Sequence, residues 1–325
     1  MKPRDSLGRI FMKLLCTLLG LVLAVMLGGT LIFRHYMNQI HYVPVREEPE
    51  SGILSVFSAI PLGTGDADRI GGPGSDLLNI LLIGQDAREG DAQARSDSMI
   101  LCSYNKKTHQ LTMTSFLRDL YVEIPGHGSN RINAAYSFGG TGLLKQTLEH
   151  NFGLYIDGSV EVDFRHFAEI IDHFGGVEIQ LREDEAQVIN SQTGSNLTEG
   201  LQTLDGAQAL AYSRIRNLDM DGDFSRTDRQ RKVINALLDS FRDIRITEMT
   251  GILNDLLPML TTDLNPGKIL LCALDIVPHL AAMETSSQRI PAEGTFTDQT
   301  VDNMAVLVAD MAAQRRFLHS TLLGS

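Results

Sequence analysis

Asp219, Asp221 and Asp223 stand at every second position within RIRNLDMDGDFSRTDRQRKVINALL, residues 214 to 238, and arginines flank them on both sides. Alternating carboxylates are the first ligands of a calcium-binding EF-hand, so metal binding is the first chemistry to test. That loop also needs a glycine at its sixth position for the sharp turn and a bidentate glutamate at its twelfth. Counted from Asp219, those positions hold Phe224 and Gln230. The calcium loop is therefore excluded, and the arginines become the chemistry to explain.

Val233, Ile234, Leu237, Leu238 and Phe241 recur at helical spacing and predict one buried stripe on a long helix. Continued backward, the stripe reaches Gln230, Arg229 and Arg226, so the core-facing side begins with polar groups. Ser225 and Asp228 resemble a capping box and predict the helix start at Ser225. Inward arginines at a helix N-terminus make an anion site, because free N–H groups and the dipole add to the guanidinium charge. Asp223 can supply part of their pairing. Arg214 and Arg216 can join from the other side of the loop, and Asp219 and Asp221 are expected in solvent.

A second group of charged residues converges through strand direction. NILLIGQD, SMILCSY and QLTMTSF read as three strands, the last two joined by the polar turn Asn105 to Thr108. If they form an antiparallel meander, Asp86, Asp97, Arg118 and Asp119 all fall on one edge of the sheet. Arg88 and Arg95 lie in the connecting loop beside the two first aspartates. Two carboxylates there make a half-shell for Mg²⁺, and the arginines around it suit phosphate oxygens. The competing reading is a set of rim salt bridges.

The remaining elements follow from alternation of apolar runs and helical patterns, which predicts an α/β layered domain. A strand is expected at SVEVDF, a helix over 164–174, a strand at VEIQL, a helix over 207–212 and the long helix from 226 to about 246. The C-terminal third is expected to be mostly helical with one short strand at QRIPA. The domain runs from 76 to 325, preceded by a spacer over 34–75 that ends in PLGTGDADRIGGPGSD, with linker composition.

Residues 14 to 33, LLCTLLGLVLAVMLGGTLIF, carry no charge, and twenty helical residues span roughly the 30 Å of a bilayer core. Lys2, Arg4, Arg9 and Lys13 precede them. The positive-inside rule then keeps residues 1–13 in the cytoplasm and places the domain outside, on an uncleaved single-pass anchor in the cell membrane. A net charge of −12 excludes nonspecific nucleic-acid binding. Cys102 and Cys272 sit in apolar patterns and read as packed thiols. No P-loop, dinucleotide fingerprint, G-x-S-x-G elbow or HExxH pair occurs.

The segments NILLIGQDAR, RSDSMIL, FLRDLYVEIPG, RINAAYSFGG, GGVEI, LDGAQALAYSRIR and DGDFSRTDRQ occur in that order, and together they resemble the LytR-CpsA-Psr proteins from about Leu77 to the end. The resemblance implies a three-layer α/β/α domain with a mixed central sheet, a Mg²⁺ and arginine cradle, and an apolar tunnel for lipid. It implies a phosphotransferase-type ligase that moves a glycan polymer, such as teichoic acid or capsule polysaccharide, from a polyprenyl pyrophosphate carrier to peptidoglycan outside the membrane. By motif position, Asp86 and Asp97 would bind Mg²⁺. Arg95, Arg118, Arg214, Arg216, Arg226 and Gln230 would contact pyrophosphate, held together by Asp223, and Arg88 and Arg131 are candidates for the same pyrophosphate-binding set.

Among these, Asp97, Arg118, Asp223 and Arg226 are the catalytic candidates, and the general base is left open between Asp97 and Asp223. The acceptor hydroxyl is expected to attack the anomeric carbon, with polyprenyl pyrophosphate departing. Leu117, Arg131, Gln85 and Asn217 stand where the family commonly has proline, lysine, serine and histidine. The alternatives are a pyrophosphatase acting on the same lipid-linked glycan and a non-catalytic regulator of envelope assembly.

Overall fold

Leu77, Leu81 and Ile83 of strand β2 (Leu77–Gln85) pack into one core while Leu78 and Ile80 pack into another on the opposite face. A strand buried on both faces must be apolar at successive positions, which is why ILLI, residues 80–83, is unbroken. β2 pairs antiparallel with β3 (Ser96–Asn105), and β3 antiparallel with β4 (Gln110–Phe116), so the expected meander forms. β2 also pairs parallel with β7 (Gly158–Asp163), and β4 parallel with β11 (Glu284–Ile290). With β1 (His41–Tyr42) and β10 (Thr261–Thr262) the order is β1-β10-β7-β2-β3-β4-β11, a mixed sheet.

This computed structural model describes residues 34–35, 37–43, 69–85, 96–219, 222–242 and 254–323. The expected membrane helix at 14–33 and the N-terminal residues 1–13 lie outside them. Among the described residues no helix is long and apolar enough to cross a membrane. Part of the expected spacer is described and tied to the domain: β1 joins the sheet edge, and Ile70, 2% exposed, sits in the main core.

Helices cover both faces. α1 (Ile132–Phe152) and α7 (Met311–Leu323) bury Leu144, Leu148, Phe152, Leu318 and Leu322 against one side. α5 (Asp223–Arg242) and α6 (Pro266–Ile276) bring Leu238, Cys272 and Ile276 to the other. A smaller core joins α2 (Phe164–His173), β8 (Val177–Leu181), α3 (Glu183–Thr193), β9 (Gly200–Leu204) and α4 (Gly206–Arg214) to the flank of α5. The hairpin β5 (Tyr121–Ile124) and β6 (Gly128–Arg131) leads into α1.

Three expectations are corrected. The long helix begins at Asp223, not Ser225, so Asp223 occupies the first turn and pairs with Arg226 on the same helix face. The C-terminal third holds more than one strand: β11 extends to Glu284, and β12 (Phe296–Val301) pairs with β13 (Met304–Ala309). Their turn places Asp302 and Asn303 both at positive φ, the geometry of a type I′ hairpin that Asx residues tolerate. Asp219 is not solvated but ion-paired to Arg182 and Arg229. Cys102 and Cys272 are free thiols, as expected.

Candidate functional site

Strand direction and the start of α5 bring one cluster together at the sheet edge. Asp97 is the second residue of β3, Arg118 lies just beyond β4, and Arg118 Nη1 donates to Asp97 Oδ1 at 3.2 Å. Arg118 Nε is 3.6 Å from both Asp119 Oδ2 and Asp223 Oδ1. From α5, Arg226 Nη2 reaches Asp223 Oδ1 at 2.9 Å and the carbonyl of Asp97 at 3.3 Å. The strand edge and the helix N-terminus, two separate signals in the sequence, are thus one site.

Its compensation is uneven: Arg118 faces Asp97, Asp119 and Asp223, whereas Arg226 has Asp223 and a backbone carbonyl. Arg226 is 2% exposed, and burial lowers its pKa to about 10 despite Asp223; Arg216 and Arg118 push it further down. For a base, a folded pKa below the unfolded one means that the charged form costs the fold free energy at every pH below about 10. Arg118 is the reverse: burial pulls it down, but Asp223, Asp119 and Asp97 outweigh this and hold it above its ordinary value. Arg226 Nε and Arg118 Nε are buried without a hydrogen-bond partner among the described residues. A site with a costly cation and unspent N–H groups is built for an anion.

The expected residues are distributed as follows. Gln230, one turn beyond Arg226, accepts from Ser98 Oγ at 3.1 Å. Arg214 ends α4 with its guanidinium 4.8 Å from the ring centroid of Phe164, a cation–π arrangement. Arg131 pairs with Asp119 at 3.4 Å and donates through Nε and Nη2 to the Ala305 carbonyl, so it ties the cluster to β13. Asp86, Arg88 and Arg95 lie outside the described residues, as does Asp221. Arg229 continues the stripe only in sequence: it turns to Glu185 at 2.8 Å and to Asp219, away from the cluster.

An apolar cavity of about 330 Å³ opens beside this cluster, between the sheet and α5. Leu82, Ile100 and Val162 line its sheet side and Ile234, Leu237 and Phe241 its helix side, with Ser98 and Gln230 also in its wall. The stripe expected to be core is therefore a cavity wall for most of its length. The sequence pattern cannot separate these, because both face away from water.

A second set of polar residues was not foreseen. Glu161 of β7 accepts from Tyr136 Oη at 2.8 Å and from Gln85 and Thr141, while burial and then Glu161 push the Tyr136 phenol above its usual value. This fixes Gln85, the residue directly before Asp86. In the sequence these residues stand in separate segments, Gln85 in NILLIGQD, Tyr136 in RINAAYSFGG and Glu161 in SVEVDF, with no local spacing that links them.

For Mg²⁺, the donor chemistry of Asp97 fits: a hard carboxylate oxygen, 20% exposed, whose described partner is Arg118 on Oδ1 alone. Among the described residues no group of three His, Cys, Asp or Glu could hold an ion unaided. Mg²⁺ commonly takes only one or two carboxylates and fills the rest with water and phosphate.

The LytR_cpsA_psr family model matches residues 66–319. The chain belongs to the LytR_cpsA_psr family. It is 42% identical over 201 residues to the polyisoprenyl-teichoic acid–peptidoglycan teichoic acid transferase TagU of Oceanobacillus iheyensis, 60% of this chain and 61% of that one. The chain thus spans less than two thirds of the length of the curated relatives it matches. Among solved structures of the family, TagT bound to LIIa-WTA superposes with a TM-score of 0.64 at 28% identity, covering 81% of this chain and 96% of that one. TagT with bound octaprenyl pyrophosphate lipid gives 0.60 at 27%, covering 81% and 99%. This LytR_cpsA_psr chain shares the mixed α/β fold of those structures, as expected.

Proposed function

We propose that the protein is a membrane-anchored ligase that transfers a glycan polymer from a polyprenyl pyrophosphate carrier to peptidoglycan. The observation that carries this reading is the junction at Gln230. On one side of it stand the buried, under-compensated guanidinium of Arg226 and the neighbouring Arg118, whose Nε has no hydrogen-bond partner among the described residues; on the other opens the apolar cavity. A ligand that satisfies both has a polyanionic head and a long apolar tail. Relatives named as teichoic acid transferases, and TagT with octaprenyl pyrophosphate, support the same assignment.

In this reading Arg118, Arg214, Arg216, Arg226 and Gln230 bind and orient the pyrophosphate, and Asp223 and Asp97 hold Arg226 and Arg118 in place. Guanidiniums around a pyrophosphate stabilise charge on a transferring phosphoryl group. That favours attack of the acceptor hydroxyl on the phosphorus next to the sugar over the attack on the anomeric carbon expected above. The bond that breaks is then the one to the polyprenyl phosphate oxygen, and the product keeps a phosphodiester. Mg²⁺ would be held by Asp86 and Asp97 and, when bound, would neutralise phosphate charge.

The apolar stretch 14–33 anchors the chain, with the domain outside the cytoplasm. β1 lies eight residues past that stretch and pairs with β10, and α6 starts four residues after β10. Leu270, Leu271 and Leu274 on α6 are exposed at 41%, 63% and 63%, which suits an edge lying near the bilayer. The test is to incubate purified full-length protein with Mg²⁺, lipid-linked polymer and peptidoglycan. Polymer joined to wall fragments through a phosphodiester supports the ligase; polymer released free with water as acceptor contradicts it and supports a pyrophosphatase.

A further inference from the structure

On the far side of α5 from the cradle, a polar cavity of about 270 Å³ is lined by Phe224, Asp228, Arg231, Lys232 and Arg289 together with the Arg182–Glu185–Asp219–Arg229 network. Most of its charges are spent. Arg229 and Arg182 are tied to Glu185 and Asp219, and Lys232 holds Asp228 at 2.9 Å. Arg231 is the exception. It is 6% exposed; Nη1 donates to Ser115 Oγ at 2.7 Å, Nη2 is 3.5 Å from the shared Asp228, and Nε is buried with no partner among the described residues. Arg289 stands in register opposite Ser115, so β4 and β11 bring a second guanidinium to the same place. It stacks 4.6 Å over Phe224, and among the described residues its ion pair is with Glu293, 91% exposed, at 3.7 Å.

Nε–H and Nη2–H form one edge of a guanidinium, the edge that grips a carboxylate through two parallel hydrogen bonds. In Arg231 this is the edge left underused, because Nη1 on the other side is committed to Ser115. We propose that Arg231 and Arg289 form a second anion site, distinct from the pyrophosphate cradle, that takes a carboxylate of the peptidoglycan acceptor. Arg289, 30% exposed and weakly tied, is the side chain that moves to admit the ligand. The two parallel donors of the Arg231 edge match the two oxygens of a carboxylate, and Asp228 beside them is already held by Lys232. The site flanks the first turns of α5, whose opposite face carries Asp223 and Arg226, so a carboxylate bound there holds the acceptor beside the donor.

The inference rests on the ligase reading for its ligand, and the experiment separates the two. A soluble peptidoglycan disaccharide-peptide with free carboxylates is titrated by calorimetry into full-length wild type, Arg289→Gln and Arg226→Met; the same fragment with amidated carboxylates and glycerol phosphate serve as further probes. The expected result is that Arg289→Gln and amidation each weaken binding about tenfold, the size of one hydrogen bond to a charged group. Arg226→Met binds the fragment as wild type does. In the transfer assay Arg289→Gln raises KM for the acceptor and leaves KM for the lipid-linked donor unchanged. Equal binding of the free and amidated fragments by wild type and Arg289→Gln overturns the site, and binding of glycerol phosphate alone, lost in Arg289→Gln, overturns its assignment to the acceptor. Because the titration needs no turnover, fragment binding by a protein without transfer activity would count against the ligase reading only.

Discussion

Arg226 and Arg229 stand three residues apart on α5, both at 3% exposure or less, yet they do opposite work. Arg229 is pulled down by burial, but bonds to Glu185 and Asp219 outweigh this and hold it above its ordinary value. Replacing it leaves Glu185, 5% exposed, without the nearer of its two cations, the other being Arg182 Nε at 3.8 Å. Arg229→Met should therefore cost about 3 kcal/mol or more, read as a fall in Tm, with any loss of activity following from unfolding. Its partner Asp219 is lowered to about 2, first by the Arg182 bond and then, against burial, by Arg229. A depressed carboxylate stabilises the fold above its unfolded pKa and loses that contribution as pH falls through its folded one. Acid unfolding of wild type should thus steepen between about pH 4 and pH 2, and Asp219→Asn should flatten that limb; superimposable acid limbs would remove Asp219 from the account. Asp97 behaves differently, because it lies at the site's edge and not in a core. Asp97→Asn should depress transfer and its response to Mg²⁺ while Tm changes little, and full activity with an unchanged Mg²⁺ titration would exclude it as a ligand.

The elements that set these residues in place were unequally legible. QLTMTSF and VEIQL match β4 and β8 end to end, since each is a short apolar or alternating run with clear turns on both sides. The meander and its polar edge follow from direction alone, which is why Asp97, Arg118 and Asp119 could be grouped in advance. α1 has no continuous helical pattern in the sequence because FGGTG interrupts it: Gly139 and Gly140 break the helix, and Gly140 at φ 61° and ψ −154° occupies a region only glycine enters readily. β11 escaped notice beyond its end because ETSSQ is polar, its strand character coming from pairing with β4. That Arg226 and Arg229 part company depends on where Glu185 lies, a tertiary fact with no trace in local spacing. One glycine links element packing to the site. A Cβ on Gly206 would lie 2.1 Å from the Ala168 carbonyl oxygen, so α4 approaches α2 as closely as it does only with glycine there. Gly206→Ala should cost about 2 kcal/mol and, by shifting α4, weaken the seat of Arg214 on Phe164. The check is a Tm decrease accompanied by a rise in KM for the lipid-linked donor; an unchanged Tm would mean that α4 yields freely.

At the scale of the whole molecule, the sheet separates two jobs. The face under α1 and α7 is a filled core, whereas the face under α5 keeps a cavity beside the under-compensated Arg226. Leaving an apolar cavity and an under-compensated arginine together lowers the stability of the ligand-free protein, and a ligand that fills both returns that stability on binding. The two defects are therefore expected to be coupled through one amphiphilic molecule. Thermal unfolding of wild type and Arg226→Met, each with and without octaprenyl pyrophosphate, reads this directly. The account predicts that ligand-free Arg226→Met melts at the wild-type Tm or above, because the substitution removes a charge the fold tolerates at a cost. It also predicts that the lipid raises Tm for wild type only. A large fall in Tm for the ligand-free variant, with the lipid stabilising it as much as wild type, would contradict the account and make Arg226 a strut of the fold.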